Sequence, residues 1–196
     1  MVSRRDNSGA AEDGSTRARL MDVAIELFRK HSVAATSLQM ISDELGFTKS
    51  AIYHHFRTRD DLLGAIIEPL IDRVAELTEH AASQRTPRSR ADRMLTGYAA
   101  LAVANRDLFP VFSGDPAVVD FLRARPEWAA IVRRQIDLLA GADPGPRGQV
   151  KAAIVMAGIA GAVGLPFDGL DDDALRAELI DGGRRTLGLR AGRALS

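Results

Sequence analysis

The 196-residue sequence predicts an all-α fold, an N-terminal three-helix head joined by a long helix to a C-terminal helical body. Three observations predict it. From Leu20 onward, apolar residues recur at i, i+3, i+4 and i+7, the spacing of one helix face. No convincing alternation of apolar and polar residues with period two marks a strand. Aromatic residues make up only 5% of the chain while alanine is abundant, a composition that suits helices better than sheets.

Residues 1–14 are polar and aperiodic, and predict a disordered arm. The first helix starts at Ser15; Leu20, Val23, Ala24, Leu27 and Phe28 form its apolar stripe, which stops near His31. Thr36 and Ser37 are both suitable N-caps for a short second helix carrying Leu38, Ile41 and Leu45, ended by Gly46. Thr48 caps a third, with Ile52 and Phe56 inward. Thr58 and Asp61 read as a capping box with Asp in place of Glu. They open a long helix with Leu62, Leu63, Ile66, Ile67, Leu70, Ile71, Val74 and Leu77 on its inner side. Pro69 interrupts it, removing the hydrogen bond to the Ala65 carbonyl at a cost of about 3 kcal/mol, so a kink is expected.

Residues 15–60 read as the head domain and 61–196 as the body, with the polar break SQRTPR at 83–88 as the expected connection. Beyond it, Ala91, Met94, Leu95, Tyr98, Leu101 and Ala102 define an amphipathic helix. Asp115-Pro116 pairs an N-cap with a first-turn proline ahead of Val118, Val119 and Leu122. Pro126 opens a helix with Trp128, Ile131, Val132, Gln135, Leu138 and Leu139. GADPGPRG reads as a loop by its Gly and Pro content, and two last helices are expected at about 147–165 and 172–187.

Composition narrows the function. Lys plus Arg (26) balances Asp plus Glu (26), so nothing pulls the whole chain toward nucleic acid and any DNA contact needs a local patch. The absence of cysteine removes disulfides, thiolate metal sites and cysteine nucleophiles, and fits a cytoplasmic location. The start, MVSRRDNSGAAEDGS, has no apolar core of a signal peptide. The longest apolar run, Ala152 to Phe167, is broken by Pro166 and falls short of the roughly 20 residues of a membrane span, so no membrane partner is expected. No Ser-His-Asp arrangement, P-loop or Gly-rich dinucleotide turn is present. Catalytic residues, cofactors and metals are therefore not expected. His54-His55 with Asp60 and Asp61 does not read as a metal site, because adjacent histidines on a helix point in different directions and no further ligand is suitably spaced.

Residues 36–56, TSLQMISDELGFTKSAIYHHF, read as helix, tight glycine turn, helix, both helices too short to stand alone. If Leu38, Ile41 and Leu45 pack on the first helix, the next one is free to present Lys49, Ser50, Ala51, Tyr53 and His54. A short exposed helix with small residues near its start can enter a DNA major groove, about 12 Å wide. Lys49, Arg57 and Arg59 lie in a stretch, 47–59, that contains no acid. This is the local patch the composition requires.

Across residues 16–68 the sequence resembles the TetR family of regulators. Thr16-Arg17, the Ala24/Leu27/Phe28 pattern, Thr36, Ile41, Gly46-Phe47-Thr48 and Tyr53-His54-His55-Phe56 fall where that family's pattern has them. The resemblance implies phosphate contacts at Tyr53, Arg59 and Thr36, base contacts from Lys49 to Ala51, and Thr48 at the start of the recognition helix. Four positions depart from the pattern: Ser32 and Ser50 stand where the family usually has Gly, Ser42 where it has Ala, and Arg59 where it has Lys.

The resemblance further implies a helical body that binds a small-molecule effector and pairs two copies into a homodimer through its last two helices. Ala153, Ala157, Gly158, Gly161 and Gly164, with Leu175, Leu179 and Gly183, are the expected interface residues, since small side chains let backbones approach closely. The alternative is that they pack within one subunit. Met94, Tyr98, Leu101, Phe109, Phe112, Phe121, Trp128, Gln135 and Met156 are the candidate effector-binding residues; each could equally be plain core. The function implied is a one-component transcriptional regulator binding double-stranded operator DNA, a repressor released by its effector. An activator of the same fold and a helical protein-interaction module without DNA binding are the alternatives.

Overall fold

The computed structural model describes residues 6–189, with the side chains of residues 6–12, Phe112 and Ser113 left aside. Its helices are α1 (Asp6–His31), α2 (Leu38–Glu44), α3 (Lys49–His55), α4 (Arg59–Ala82), α5 (Pro87–Ala104), α6 (Phe109–Gly114), α7 (Pro116–Arg123), α8 (Pro126–Ala140), α9 (Pro146–Ala162) and α10 (Asp172–Leu187). No strand occurs among the described residues. Two compact units divide the chain, Met1–Pro69 and Leu70–Ser196.

In the first unit α1 packs on α2 and α2 on α3. The predicted stripe of α1 buries Leu20, Ala24, Leu27 and Phe28; α2 buries Leu38 and Ile41, and α3 buries Ile52. Each leucine, isoleucine or phenylalanine among them contributes about 1.5–3 kcal/mol by leaving water. Helix starts follow the predicted caps. Ser37 accepts from the Met40 amide at 3.2 Å and Thr48 from the Ala51 amide at 3.3 Å. Thr58 and Asp61 cap each other reciprocally, backbone to side chain, at 3.0 Å both ways.

One expectation needs correcting here. Residues 6–14 do not form an arm, because α1 begins at Asp6; residues 1–5 lie outside the described residues. Once the stripe from Leu20 has nucleated a helix, extension toward the N-terminus adds one hydrogen bond per residue fixed, and no proline stops it. Pro69 lies inside α4, which continues across it, and the compact units divide directly after it. The polar break at 83–88 is instead the turn into α5, where Thr86 and Ser89 form a capping box that brackets Pro87.

In the second unit α5 packs against α8 and α10, and α9 against α8, α10 and α6. Met94, Leu95, Tyr98, Ala99 and Ala102 of α5 share a core with Ala152, Val155, Ile159 and Val163, and with Leu175 and Leu187. Arg184 makes paired bonds to the Asp92 carboxylate, 2.7 and 3.1 Å, tying α10 to α5. Helix α6 has no counterpart in the sequence reading: it is six residues long and starts without a side-chain cap. Helix α9 starts at Pro146, inside the expected loop, with proline in the first turn, where a missing amide hydrogen costs nothing.

Candidate nucleic-acid interface

The turn between α2 and α3 depends on Gly46, whose φ is +66°, a region where a Cβ is strained. The Phe47 amide then closes onto the Ser42 carbonyl at 2.8 Å, and Thr48 starts α3. Because Ile52 and the following Phe56 are buried, the opposite side of α3 is exposed: Lys49, Ser50, Tyr53 and His54 face solvent and Ala51 is half-buried. The Tyr53 ring is 43% exposed, and the Lys49 ammonium lies 5.7 Å from its centroid. Ser50 and Thr48 share a hydroxyl contact at 3.1 Å. The two histidines do diverge: the His54 side chain is 77% exposed, while His55 is turned inward with Nδ1 3.5 Å from Asp13.

Beside α3 lies a concavity of about 410 Å³ lined by Ala34 to Gln39, Tyr53 and Arg57 to Asp60. It brings together Thr36, Tyr53 and Arg59, three of the expected backbone contacts, though two of them are engaged internally. Thr36 is buried and its hydroxyl donates to the Ser32 carbonyl at 2.8 Å. Arg59 Nη1 donates to the carbonyls of Val33 at 3.2 Å and Ala34 at 2.9 Å. The sequence reading did not select Ser37 and Gln39, which line the same concavity. It also missed Arg19, whose guanidinium sits 5.3 Å from the Phe47 ring, beside the glycine turn. A cation on the polar face of α1 was the available signal.

In the body, the candidate effector residues separate into groups. Met94, Tyr98 and Phe109 are buried in the main core, with Leu101 and Met156 packed against it. The Tyr98 ring lies 5.5 Å from Phe109, and its hydroxyl donates to the Met156 carbonyl at 3.4 Å. Burial pushes the phenol well above its ordinary range. Phe121 and Trp128 form a second pair, 5.9 Å apart, with the Arg125 guanidinium 3.5 Å from the Phe121 centroid. Gln135 is buried, and its Nε2 has no hydrogen-bond partner among the described residues. The Phe112 side chain lies outside the described residues.

The expected interface residues also divide. Ala153, Ala157, Gly158 and Gly161 are exposed on α9, alongside Val150 (59% exposed) and Ile154 (57%). Leu175 and Gly183 are buried within the chain instead, and Gly164, though exposed, abuts Pro110. A Cβ on Gly164 would lie 2.5 Å from Pro110, one on Gly183 2.5 Å from Leu95, and Leu175 belongs to the core. Leu179 is half-buried against that core.

Residues 20–66 match the model of the bacterial regulatory proteins, tetR family. Over 66 residues, 34% of this chain, the sequence is 39% identical to the HTH-type transcriptional regulator AcrR of Shigella flexneri, covering 31% of that protein. Over 67 residues, again 34% of the chain, it is 30% identical to the HTH-type transcriptional repressor KstR2 of Rhodococcus jostii, covering 31% of it. The match thus spans about a third of these curated relatives. Among solved structures, the ketosteroid transcriptional regulator KstR2 of Mycobacterium tuberculosis aligns with a TM-score of 0.67 at 15% identity, over 88% of this chain and 93% of that one. A TetR/AcrR family regulator from Thermobifida fusca aligns with a TM-score of 0.52 at 26% identity, over 90% and 100%. The family model thus matches the head, residues 20–66, and the helical fold of the chain is shared with these solved regulators.

Proposed function

We propose that the protein is a one-component transcriptional regulator, a homodimer that binds double-stranded operator DNA in the cytoplasm and is released from it by a small molecule held in the body. The observation that carries the DNA-binding reading is α3: capped by Thr48, anchored through Ile52, and exposing Lys49, Ser50, Tyr53 and His54 on its outer side. Such a helix fits a major groove, its first residues at base edges and its cationic flank at phosphates. Two heads about one helical turn apart, roughly 34–36 Å, would read a near-palindromic site.

Support for the dimer is the apolar outer face of α9. Support for the effector is an alanine-rich core with a buried amide, Gln135, lacking a partner for Nε2. A ligand that fits one arrangement of the molecule better than another shifts the population toward it. Pro69, at the division between the compact units, is the proposed hinge. Pro69→Ala should alter ligand-induced release more than basal DNA affinity; equal change in both would count against a hinge there.

The test of the whole reading is a gel shift with the DNA upstream of the protein's own gene at low salt. The wild type should retard it, and Lys49→Ala should weaken the complex and flatten its salt dependence. A wild type that retards no duplex would sink the reading.

A further inference from the structure

We infer that Arg19, on α1, is a further phosphate-binding residue of the DNA interface, held over the Phe47 ring at the leading end of α3 and separate from the contacts of the concavity. The inference rests on the DNA-binding reading above and extends it, since the family resemblance assigns backbone contacts to Thr36, Tyr53 and Arg59 and none to α1.

The Arg19 guanidinium lies 5.3 Å from the centroid of the Phe47 ring. Phe47 is itself fixed, its amide bonded to the Ser42 carbonyl at 2.8 Å, and it directly precedes Thr48, the N-cap of α3. Arg19 is thereby held beside the end of α3 where Lys49 and Ser50 are exposed, the end that a recognition helix directs at base edges. An aromatic ring attracts a cation through its face and uses none of the guanidinium's N–H donors. Among the described residues no hydrogen bond or ion pair engages those donors, and Arg19 is exposed. Helix α1 carries no acid from residue 14 to residue 21, and Asp13, just before that stretch, lies against His55 at 3.5 Å. A guanidinium placed in this way, with its planar fork unspent, suits a phosphate.

Its neighbours leave that place to Arg19. Arg17, two residues earlier, sits 5.1 Å from the ring of Phe56, a buried side chain at the far end of α3. Lys49 is drawn toward the Tyr53 ring, 5.7 Å away, and Tyr53 lines the concavity. No residue from Phe47 to Ser50 lines it, so the concavity serves the trailing half of α3 and Arg19 the leading end. A major groove about 12 Å wide is walled by the phosphates of both strands, and a helix seated in it meets backbone on either flank. Arg19 supplies the cation for the flank that the concavity does not reach.

Phosphate contacts carry no sequence information, so the test needs no operator. The full-length chain is titrated into a fluorescent duplex of scrambled sequence, about 30 base pairs long, across a series of KCl concentrations. Each phosphate neutralised adds about 0.9 to the slope of log K against log salt. Arg19→Met keeps an unbranched apolar stem over Phe47 and removes the charge. It should lower the slope by about 0.9 per head and leave the melting temperature unchanged, while Arg19→Lys should keep the wild-type slope. Arg73→Met takes the same charge off an exposed position in the other compact unit and should leave the slope where it was. A wild-type slope in Arg19→Met overturns the inference, and with a lowered melting temperature it makes Arg19 a clamp on Phe47 instead. An equal fall in Arg73→Met overturns it too, because the effect would then belong to net charge. A wild type that binds no duplex at any salt is a different result and removes the DNA-binding reading itself.

Discussion

Ser32 occupies the left-handed region, φ +76°, where a side chain costs roughly 1–2 kcal/mol. Its hydroxyl recovers part of this by accepting from the Ala35 amide at a long 3.4 Å. Ser32→Gly should therefore raise stability by about 0.5–1 kcal/mol, read as a higher midpoint in urea; a lower midpoint would show that the hydroxyl outweighs the strain. The sequence shows a serine where the family has glycine, yet it does not reveal that the positive φ persists. Arg59 is illegible in the same way, since its partners come from a turn 25 and 26 residues away. Tyr98 gives a prediction with a sign. Burial raises its pKa above the ordinary 10.0, so the unfolded chain releases this proton first as pH rises. Stability present below about pH 10 is lost progressively above it. Tyr98→Phe should flatten the alkaline limb of stability against pH measured by chemical denaturation, and an unaltered limb would contradict the assignment.

At the scale of elements, much was legible because helix starts are written in single residues. Ser37, Thr48, the Thr58–Asp61 pair and Asp115 each cap the helix that the periodicity places after them. Helix α6 was not legible, since six residues hold too little periodicity and Leu108 offers no cap. The N-terminal extension of α1 escaped too, because propagation depends on a nucleus further along the chain and leaves no mark on the residues it recruits. Two glycines test these elements in opposite directions. Gly148 is buried in the first turns of α9, and a Cβ there would fall 1.8 Å from the Asp143 carbonyl oxygen, a backbone atom that cannot step aside. Gly148→Ala should cost about 2–3 kcal/mol. Gly14 lies in α1 with nothing among the described residues within 4 Å of an added Cβ, so Gly14→Ala should gain up to about 1 kcal/mol by helix propensity. Both shifts are measurable by thermal melting. No gain at Gly14 would return that segment to the arm the sequence first suggested.

For the whole molecule, the sequence identified α9 as unusual without sorting its small residues. Ala153, Ala157, Gly158 and Gly161 are no different in kind from Gly164 and Gly183, and only packing shows that the four are open to solvent while Gly183 is buried against Leu95 and Gly164, itself exposed, abuts Pro110. What the structure adds is their company. Val150 and Ile154 stand exposed on the same helix, and Leu165, Phe167 and Leu170 are exposed just beyond it. Exposed apolar groups gathered this closely are a liability in a monomer and an asset in a pair. Among the described residues, nothing beyond the helix's own backbone approaches a Cβ at Gly158 or Gly161 within 4 Å, which leaves room for a second backbone. A homodimer formed here would give each operator two linked heads, so losing the pairing should cost far more DNA affinity than losing one contact. Ile154→Glu places a charge on that face, 57% exposed, without disturbing the subunit's own core. Light scattering at micromolar concentration should read the wild type as a dimer and Ile154→Glu as a monomer with an unchanged circular dichroism spectrum. Its affinity for a two-half-site operator should fall at least tenfold. A variant that remains dimeric, or that stays at full affinity as a monomer, would move the interface elsewhere and leave this face in need of another partner.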